Sequence, residues 1–224
     1  MTPFRPNKNV TYVGDHRRAV GGLWPEIGHL QIQWLLRHWL LPKHVLLDLA
    51  CGSLRLGVYA IPYLNPGNYL GIDQHEGLIQ DGIHEELGLD VYESQRPEFV
   101  VSSEFELDKF TKRPDYVMIQ SLFTHLTPED IQRCLKELHG VATPQTKIFA
   151  TFRDPSQTTR HNDTQSHMHG FFCYSVADIR QFGKDLFDVH YIGDWKHPRR
   201  QVMVAYTKKT SATKPWWTTR GRKA

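Results

Sequence analysis

The stretch Asp48-Leu-Ala-Cys-Gly-Ser-Leu-Arg-Leu-Gly57 and Asp73, which lies 21 residues beyond Gly52, carry the clearest chemical signal in this sequence. A glycine-bearing turn at the end of an apolar run lets backbone approach a ligand. An acid about 20 residues further on is placed to accept hydrogen bonds from ribose hydroxyls. What the turn lacks narrows the ligand. In the register of a dinucleotide fingerprint its glycine positions hold Ala50, Gly52 and Arg55, and bulky Arg55 at the close-packing position argues against a dinucleotide. No Lys-Ser or Lys-Thr follows the loop, so it is not a phosphate-cradling P-loop. A nucleoside without phosphates suits it better. S-adenosylmethionine is such a ligand: adenosine, an amino-acid tail and a cationic sulfonium ask for acids and backbone groups where a dinucleotide asks for an anion cradle.

A second set of residues could move protons. With an ordinary pKa of about 6.5, histidine is the natural base for a hydroxyl or amine that must lose a proton. His125 follows the fourth apolar run, where an acceptor would approach, and is a candidate catalytic base. His161, Asp163, His167 and His169 cluster in a long polar stretch, and such stretches are commonly lids or substrate loops. Their spacing is no standard zinc pattern, so no metal is expected there. His169 is the better base of that group, because Gly170-Phe-Phe172 would anchor the loop, and His167 is expected to touch the substrate. His197, before Pro198, reads as a loop-fixing residue.

These residues need elements to hold them. Residues 1–22 read as an irregular arm. Pro25 then opens a one-sided helix with apolar Ile27, Leu30, Trp34, Leu35 and Trp39 at spacings of three and four. Short, continuously apolar runs at 44–50, 69–72, 98–102, 115–119 and 146–152 have the pattern of strands buried on both faces. Helices are predicted over about 53–63, 75–87, 128–140 and 175–182. Alternation at this spacing predicts a doubly wound α/β fold with a mostly parallel, seven-stranded, Rossmann-like sheet. The last strands, 187–192 and 201–206, are joined by a link short enough for antiparallel pairing only, giving a C-terminal antiparallel hairpin. The expected organisation is an arm and capping helix over 1–42, a ligand-binding domain over 43–207 and a basic tail over 208–224.

Composition sets outer limits. With 23% charged and 40% hydrophobic residues, the chain is an ordinary globular one. No apolar stretch approaches the ~20 residues that cross a bilayer, and the N-terminus has no signal-peptide core, so a cytoplasmic protein without membrane association is expected. Three cysteines without CxxC spacing exclude a disulfide framework. The net charge is +3, but residues 208–224 hold six basic residues and no acid, so the body is not basic and nucleic acid is not the expected partner. Oligomeric state is not encoded in any pattern.

Leu46-Leu-Asp-Leu-Ala-Cys-Gly-Ser-Leu-Arg-Leu-Gly57 and Tyr69-Leu-Gly-Ile-Asp73 resemble motifs I and II of the class I S-adenosylmethionine-dependent methyltransferases. Gln120-Ser-Leu-Phe-Thr-His-Leu-Thr-Pro-Glu129 and Ile148-Phe-Ala-Thr-Phe152 resemble later segments of that superfamily. Cys-Gly-Ser-Leu-Arg55, Ser-Leu-Phe-Thr-His-Leu126 and Tyr191-Ile-Gly-Asp-Trp-Lys-His-Pro198 are similar to a narrower group of bacterial methyltransferase-domain proteins. The resemblance spans about residues 12 to 206. One departure is that two of the three glycines usual in motif I are Ala50 and Leu54, and Leu54 is expected to narrow the ligand pocket.

The resemblance implies S-adenosylmethionine as cofactor. By position, Asp48, Ala50, Cys51 and Gly52 would face its methionine portion, Asp73 and Gln74 its ribose, and Ser103, Glu104 and Phe105 its adenine. Gln120 and Ser121 would lie under the sulfonium. Glu26 and Gln31, on the capping helix, would line the substrate side. The implied activity is methyl transfer to a small-molecule acceptor, oxygen before nitrogen. Two alternatives remain open: an RNA or protein methyltransferase docking through the basic tail, and a non-catalytic module that binds the cofactor. Gln120-Ser-Leu-Phe123 differs from the Asn/Asp-Pro-Pro-aromatic string of enzymes that methylate base amino groups.

Overall fold

Asp15 opens the described part of the chain by capping a single helical turn, its carboxylate accepting the backbone N–H of Arg17 at 2.9 Å. The computed structural model describes residues 15–157 and 172–210. Two compact units divide the chain, Met1–Ser103 and Glu104–Ala224.

In the first unit the turn α1 (His16–Ala19) leads to α2 (Trp24–Arg37), which has Pro25 in its first turn. The apolar stripe of α2 is rotated from the one its sequence suggests. Trp24, Ile27, Gly28, Gln31, Ile32 and Leu35 are buried, whereas Trp39 lies beyond the helix in a left-handed conformation and is 69% exposed. Strand β1 (Leu46–Leu49) is followed by α3 (Gly57–Tyr63), β2 (Tyr69–Asp73), α4 (Glu76–Asp81), α5 (Leu89–Gln95) and β3 (Glu98–Val101). β1 and β2 pair in parallel, Asp48 opposite Gly71, and β2 pairs in parallel with β3, Asp73 opposite Val101.

The single helix expected over 75–87 is α4 followed by a wide π-type turn, Gly82–Leu87. The cause is a close approach. A Cβ on Gly82 would sit 2.6 Å from the Ser53 carbonyl carbon, so the chain presses against the first glycine turn there and the regular helix gives way. α5 has no buried residue, which is why no apolar period announces it.

The second unit holds β4 (Tyr116–Ile119), α6 (Pro128–Val141), β5 (Lys147–Phe152), α7 (Val176–Phe182), β6 (Phe187–Asp194) and β7 (Val202–Lys208). α6 starts with a Thr127 cap and Pro128 and buries Ile131, Cys134, Leu135 and Leu138 at spacings of three and four. α7 starts with a reciprocal Ser175–Asp178 capping box. β4 and β5 are parallel, β7 is antiparallel to β5, and β6 is antiparallel to β7, as the short 195–201 link requires. The strand order is β3-β2-β1-β4-β5-β7-β6, a seven-stranded mixed sheet in an α/β fold with the expected C-terminal hairpin. Every residue of β1 and β4 is buried, in line with their unbroken apolar runs. Among the described residues no helix is long and apolar enough to cross a membrane, and the three cysteines are free and buried.

Candidate functional site

In the first unit the residues after β1 and β2 form one polar site. The chain after β1 turns through three left-handed residues, Ala50 (φ 67°), Gly52 (φ 53°) and Leu54 (φ 63°). These are the three positions at which motif I ordinarily has glycine. The backbone keeps that shape although two positions carry side chains, at a cost of roughly 1–2 kcal/mol for each non-glycine residue. Leu54 recovers it by packing, being fully buried against Gly57 and Gly82 on the helix side of the turn.

Asp73 ties the two loops together. One carboxylate oxygen accepts the Gly52 N–H at 2.9 Å and the other accepts the His75 N–H at 2.9 Å. A carboxylate has about four lone-pair directions, so capacity remains for ribose hydroxyls. Burial raises the Asp73 carboxyl above its ordinary range, and the N–H bonds from His75 and Gly52 offset part of that rise. Asp48, 3% exposed, accepts the Tyr69 hydroxyl at 2.7 Å. Its carboxyl is pushed up to about 7 by burial, against the pull of the Tyr69 bond and the Arg55 charge; the charge of Asp73 adds to the rise. The two aspartates thus sense one another. Burial also raises the Cys51 thiol, which is therefore neutral.

The N-terminal segment is fastened over this turn. Arg55 donates to the Val20 carbonyl at 3.0 Å and lies 3.4 Å from that of Gly22, and Trp24 donates to Ser53 at 3.3 Å. Arg17 and Glu86 form a two-pronged ion pair, the outer contact 2.7 Å long. A Cβ on Gly52 would meet Val20 Cγ1 at 2.6 Å, so only glycine fits beneath this strap. Arg55, the bulky residue of the turn, serves the strap. The site therefore offers the carboxylates of buried Asp48 and half-buried Asp73, which suit a nucleoside carrying a positive charge better than a phosphate.

In the second unit a neutral polar cluster stands at the carboxyl ends of β4 and β5. Ser121 is left-handed (φ 64°), and its N–H donates to Thr151 Oγ1 at 2.8 Å. The Gln120 amide nitrogen is 2.9 Å from Ser121 Oγ, 3.2 Å from Gln201 Oε1 and 3.2 Å from His197 Nε2. Gln201 Oε1 is 2.7 Å from Thr151 Oγ1, and Gln201 Nε2 is 2.8 Å from Ser121 Oγ. Gln120, Thr151, His197 and Gln201 are all at least nine-tenths buried. His197 stacks on Trp195 with ring centres 5.4 Å apart. The sequence read His197 as a loop-fixing residue and passed over Gln201. Their partners lie 77 and 81 residues away, and only the β5–β7 pairing, with Phe152 opposite Val202, brings Gln201 to this end of the sheet.

The other expected site residues are placed as follows. Ala50 is half-buried, Cys51 buried, and Gln74 and Ser103 exposed. Glu104 is exposed and paired with Arg133, whose guanidinium lies over the Phe105 ring; Phe105 is buried in a left-handed conformation. Half-buried His125 closes the short turn Leu122–Thr124. Glu26 is exposed in the first turn of α2, whereas Gln31 is buried on its inner face with Oε1 lacking a partner among the described residues. His167 and His169, with His161 and Asp163, lie outside the described residues, as do residues 211–224 of the basic tail. No cluster of three metal-ligating side chains occurs among the described residues.

Residues 47–148 match the family model described as a methyltransferase domain. Among solved structures, the fold is similar to magnesium protoporphyrin IX methyltransferase from Synechocystis with bound S-adenosylmethionine, at 16% identity and TM-score 0.61, covering 90% of this chain and 87% of that one. It is also similar to the glycopeptide N-methyltransferase MtfA, at 13% identity and TM-score 0.62, covering 83% and 90%. The CcbJ methyltransferase from Streptomyces caelestis gives the same values. At these identities the likeness is one of fold.

Proposed function

We propose that the chain, whose residues 47–148 match the methyltransferase-domain model, is an S-adenosylmethionine-dependent methyltransferase of a small-molecule acceptor, with oxygen as the leading acceptor atom. The family match and the shared fold support the enzyme class and the cofactor. The proposal concerns the acceptor and the residues.

The observation that carries it is the Asp73 carboxylate, bonded to Gly52 on one side and His75 on the other beside buried Asp48. On this reading Asp73 and Gln74 hold the ribose, while Asp48 with the backbone of Ala50, Cys51 and Gly52 holds the amino-acid portion. Ser103, Glu104 and Phe105 remain the candidates for adenine, and Gln120 and Ser121 for the reacting end. When bound, S-adenosylmethionine supplies an electrophilic methyl group on a sulfonium. What the protein must add is alignment and exclusion of water, which can supply much of the barrier reduction. A base is needed only where the acceptor bears a proton, and His125 and His169 are the proposed bases. Glu26, Gln31 and His167 are proposed for the acceptor side. The solved methyltransferases of similar fold include enzymes named for a porphyrin and a glycopeptide, which supports a small-molecule acceptor over nucleic acid.

The test is transfer of tritium from methyl-labelled S-adenosylmethionine into a cell extract separated into small-molecule, RNA and protein fractions. Label in the small-molecule fraction, stable to mild base and lost on ether cleavage, is the expected result. Label in RNA or protein that disappears on deleting residues 208–224 would establish the tail-docking alternative instead. Cofactor binding with no label in any fraction would favour a non-catalytic module.

A further inference from the structure

Beside Asp73 in the first unit stands a side chain that the fold does not use. His75 occupies the N-cap of α4, where a serine, threonine or aspartate would accept a backbone N–H of the first turn. Its side chain makes no such bond. Only its backbone is engaged: the His75 N–H donates to Asp73 Oδ1 at 2.9 Å, while the Gly52 N–H donates to Oδ2 at 2.9 Å. The residue is half-buried, yet Nδ1 and Nε2 are both shielded from solvent and neither has a partner among the described residues. Polar atoms taken out of water without a partner cost free energy, so two of them on one ring call for an explanation.

The ring belongs to the same loop as the Asp73 carboxylate and acts on it. Burial raises that carboxyl, the N–H bonds from His75 and Gly52 lower it, and the charge of the His75 imidazole lowers it further. Neither ring nitrogen bonds the carboxylate itself.

The chemistry of a ribose diol accounts for the arrangement. An ionised Asp73 can only accept. A hydroxyl that gives its single proton to Asp73 keeps two lone pairs on its oxygen, and these need a donor. The backbone N–H groups of Gly52 and His75 are already spent on the carboxylate, and Gln74 is exposed. An imidazole, neutral or protonated, carries at least one N–H. We infer that the His75 ring donates to the oxygen of a ribose hydroxyl whose proton goes to Asp73, so that the two side chains read the diol as a donor–acceptor pair. That the nucleoside is the cofactor's rests on the methyl-transfer reading above, while the placing of imidazole and carboxylate on one loop does not. Such a pair distinguishes a ribonucleoside from a deoxy form, which offers the ring no oxygen.

The test is calorimetric titration of full-length wild type, His75→Phe and His75→Ser with S-adenosylhomocysteine and with its 2′-deoxy and 3′-deoxy analogues. Both variants should bind S-adenosylhomocysteine at least fivefold more weakly than wild type. The loss caused by removing one of the two hydroxyls should be at least threefold smaller in the variants than in wild type, which identifies the hydroxyl that His75 contacts. Unchanged affinity, or a weakening equal for all three ligands, overturns the inference. His75→Ser supplies an ordinary helix cap, so it should melt no lower than wild type while binding more weakly. Weaker binding together with a lower melting temperature would make His75 a structural residue and overturn the inference. Should His75→Phe not fold, His75→Ser carries the comparison alone. Wild type that binds adenosine but not S-adenosylhomocysteine would sink the methyl-transfer reading, and adenosine with its 2′-deoxy and 3′-deoxy forms then decides the role of His75 by the same criteria. Binding of neither overturns both.

Discussion

The loops after β1 and β2 and the cluster at the ends of β4 and β5 are two ways of building a polar site. The first uses local backbone shape and charge: three left-handed residues within five positions, and the Asp73 carboxylate, which accepts N–H bonds from Gly52 and His75. The second uses neutral side chains gathered from distant segments, with no carboxylate among Gln120, Ser121, Thr151, His197 and Gln201. A charged site sustained by backbone tolerates changes of side chain, which is how Ala50 and Leu54 stand where glycines are usual. A neutral side-chain network has no such reserve, because each member satisfies the others.

That difference sets the order of expected effects. Gln201→Leu removes the partner shared by Ser121, Thr151 and Gln120 and leaves several buried groups unsatisfied. It should lower stability by about 3 kcal/mol, since each unsatisfied group costs roughly 1–3 kcal/mol. The expected fall in melting temperature is about 6–12 °C by calorimetric scan. A fall of under about 2 °C would mean that the cluster is no more demanding than the loops.

Leu54→Gly restores the usual motif glycine and relieves the left-handed strain, yet it should destabilise by about 2 kcal/mol in urea unfolding. The buried leucine against Gly57 and Gly82 is worth about 2–5 kcal/mol, more than the roughly 1–2 kcal/mol of strain removed. A stabilised variant would show that backbone shape, rather than packing, governs this turn.

The smallest effect depends on pH. Because burial raises the folded-state pKa of Asp48 to about 7 from an ordinary 3.8, folding favours its protonated form. The associated stability is present at low pH and is lost as pH rises through about 7. Asp48→Asn cannot ionise. Compared by urea unfolding at pH 5 and pH 8, wild type should lose at least about 1.4 kcal/mol relative to the variant, the equivalent of one pKa unit. A constant difference would place Asp48 in a solvated setting and remove the contrast with neutral, buried Gln120.

The same contrast explains what could be read from the sequence. Strands β1, β2, β4 and β5 announce themselves as unbroken apolar runs because both faces are buried, and the pair Gly52 and Asp73 keeps a fixed spacing because one loop bonds the other. The hairpin of β6 and β7 follows from a link too short for a crossover. α5 left no trace because it buries nothing, and the π-type turn at Gly82–Leu87 arises from contact with Ser53 and Leu54, which no local pattern contains. The contact of His197 with Gln120, and Gln201 altogether, escaped the sequence for a related reason. Their chemistry depends on antiparallel register and on residues 77 and 81 positions away, and an isolated His-Pro carries no mark of either.

The central claim is that the aspartates after β1 and β2 grip a nucleoside bearing a positive charge in place of a phosphate. Calorimetric titration of wild type and Asp73→Ala with S-adenosylhomocysteine tests it most directly. The account predicts saturable binding by wild type and at least tenfold weaker binding by the variant, about 1.4 kcal/mol, from loss of charge-assisted bonds to the ribose. Equal affinity in the two folded proteins, or no binding by either, would contradict it.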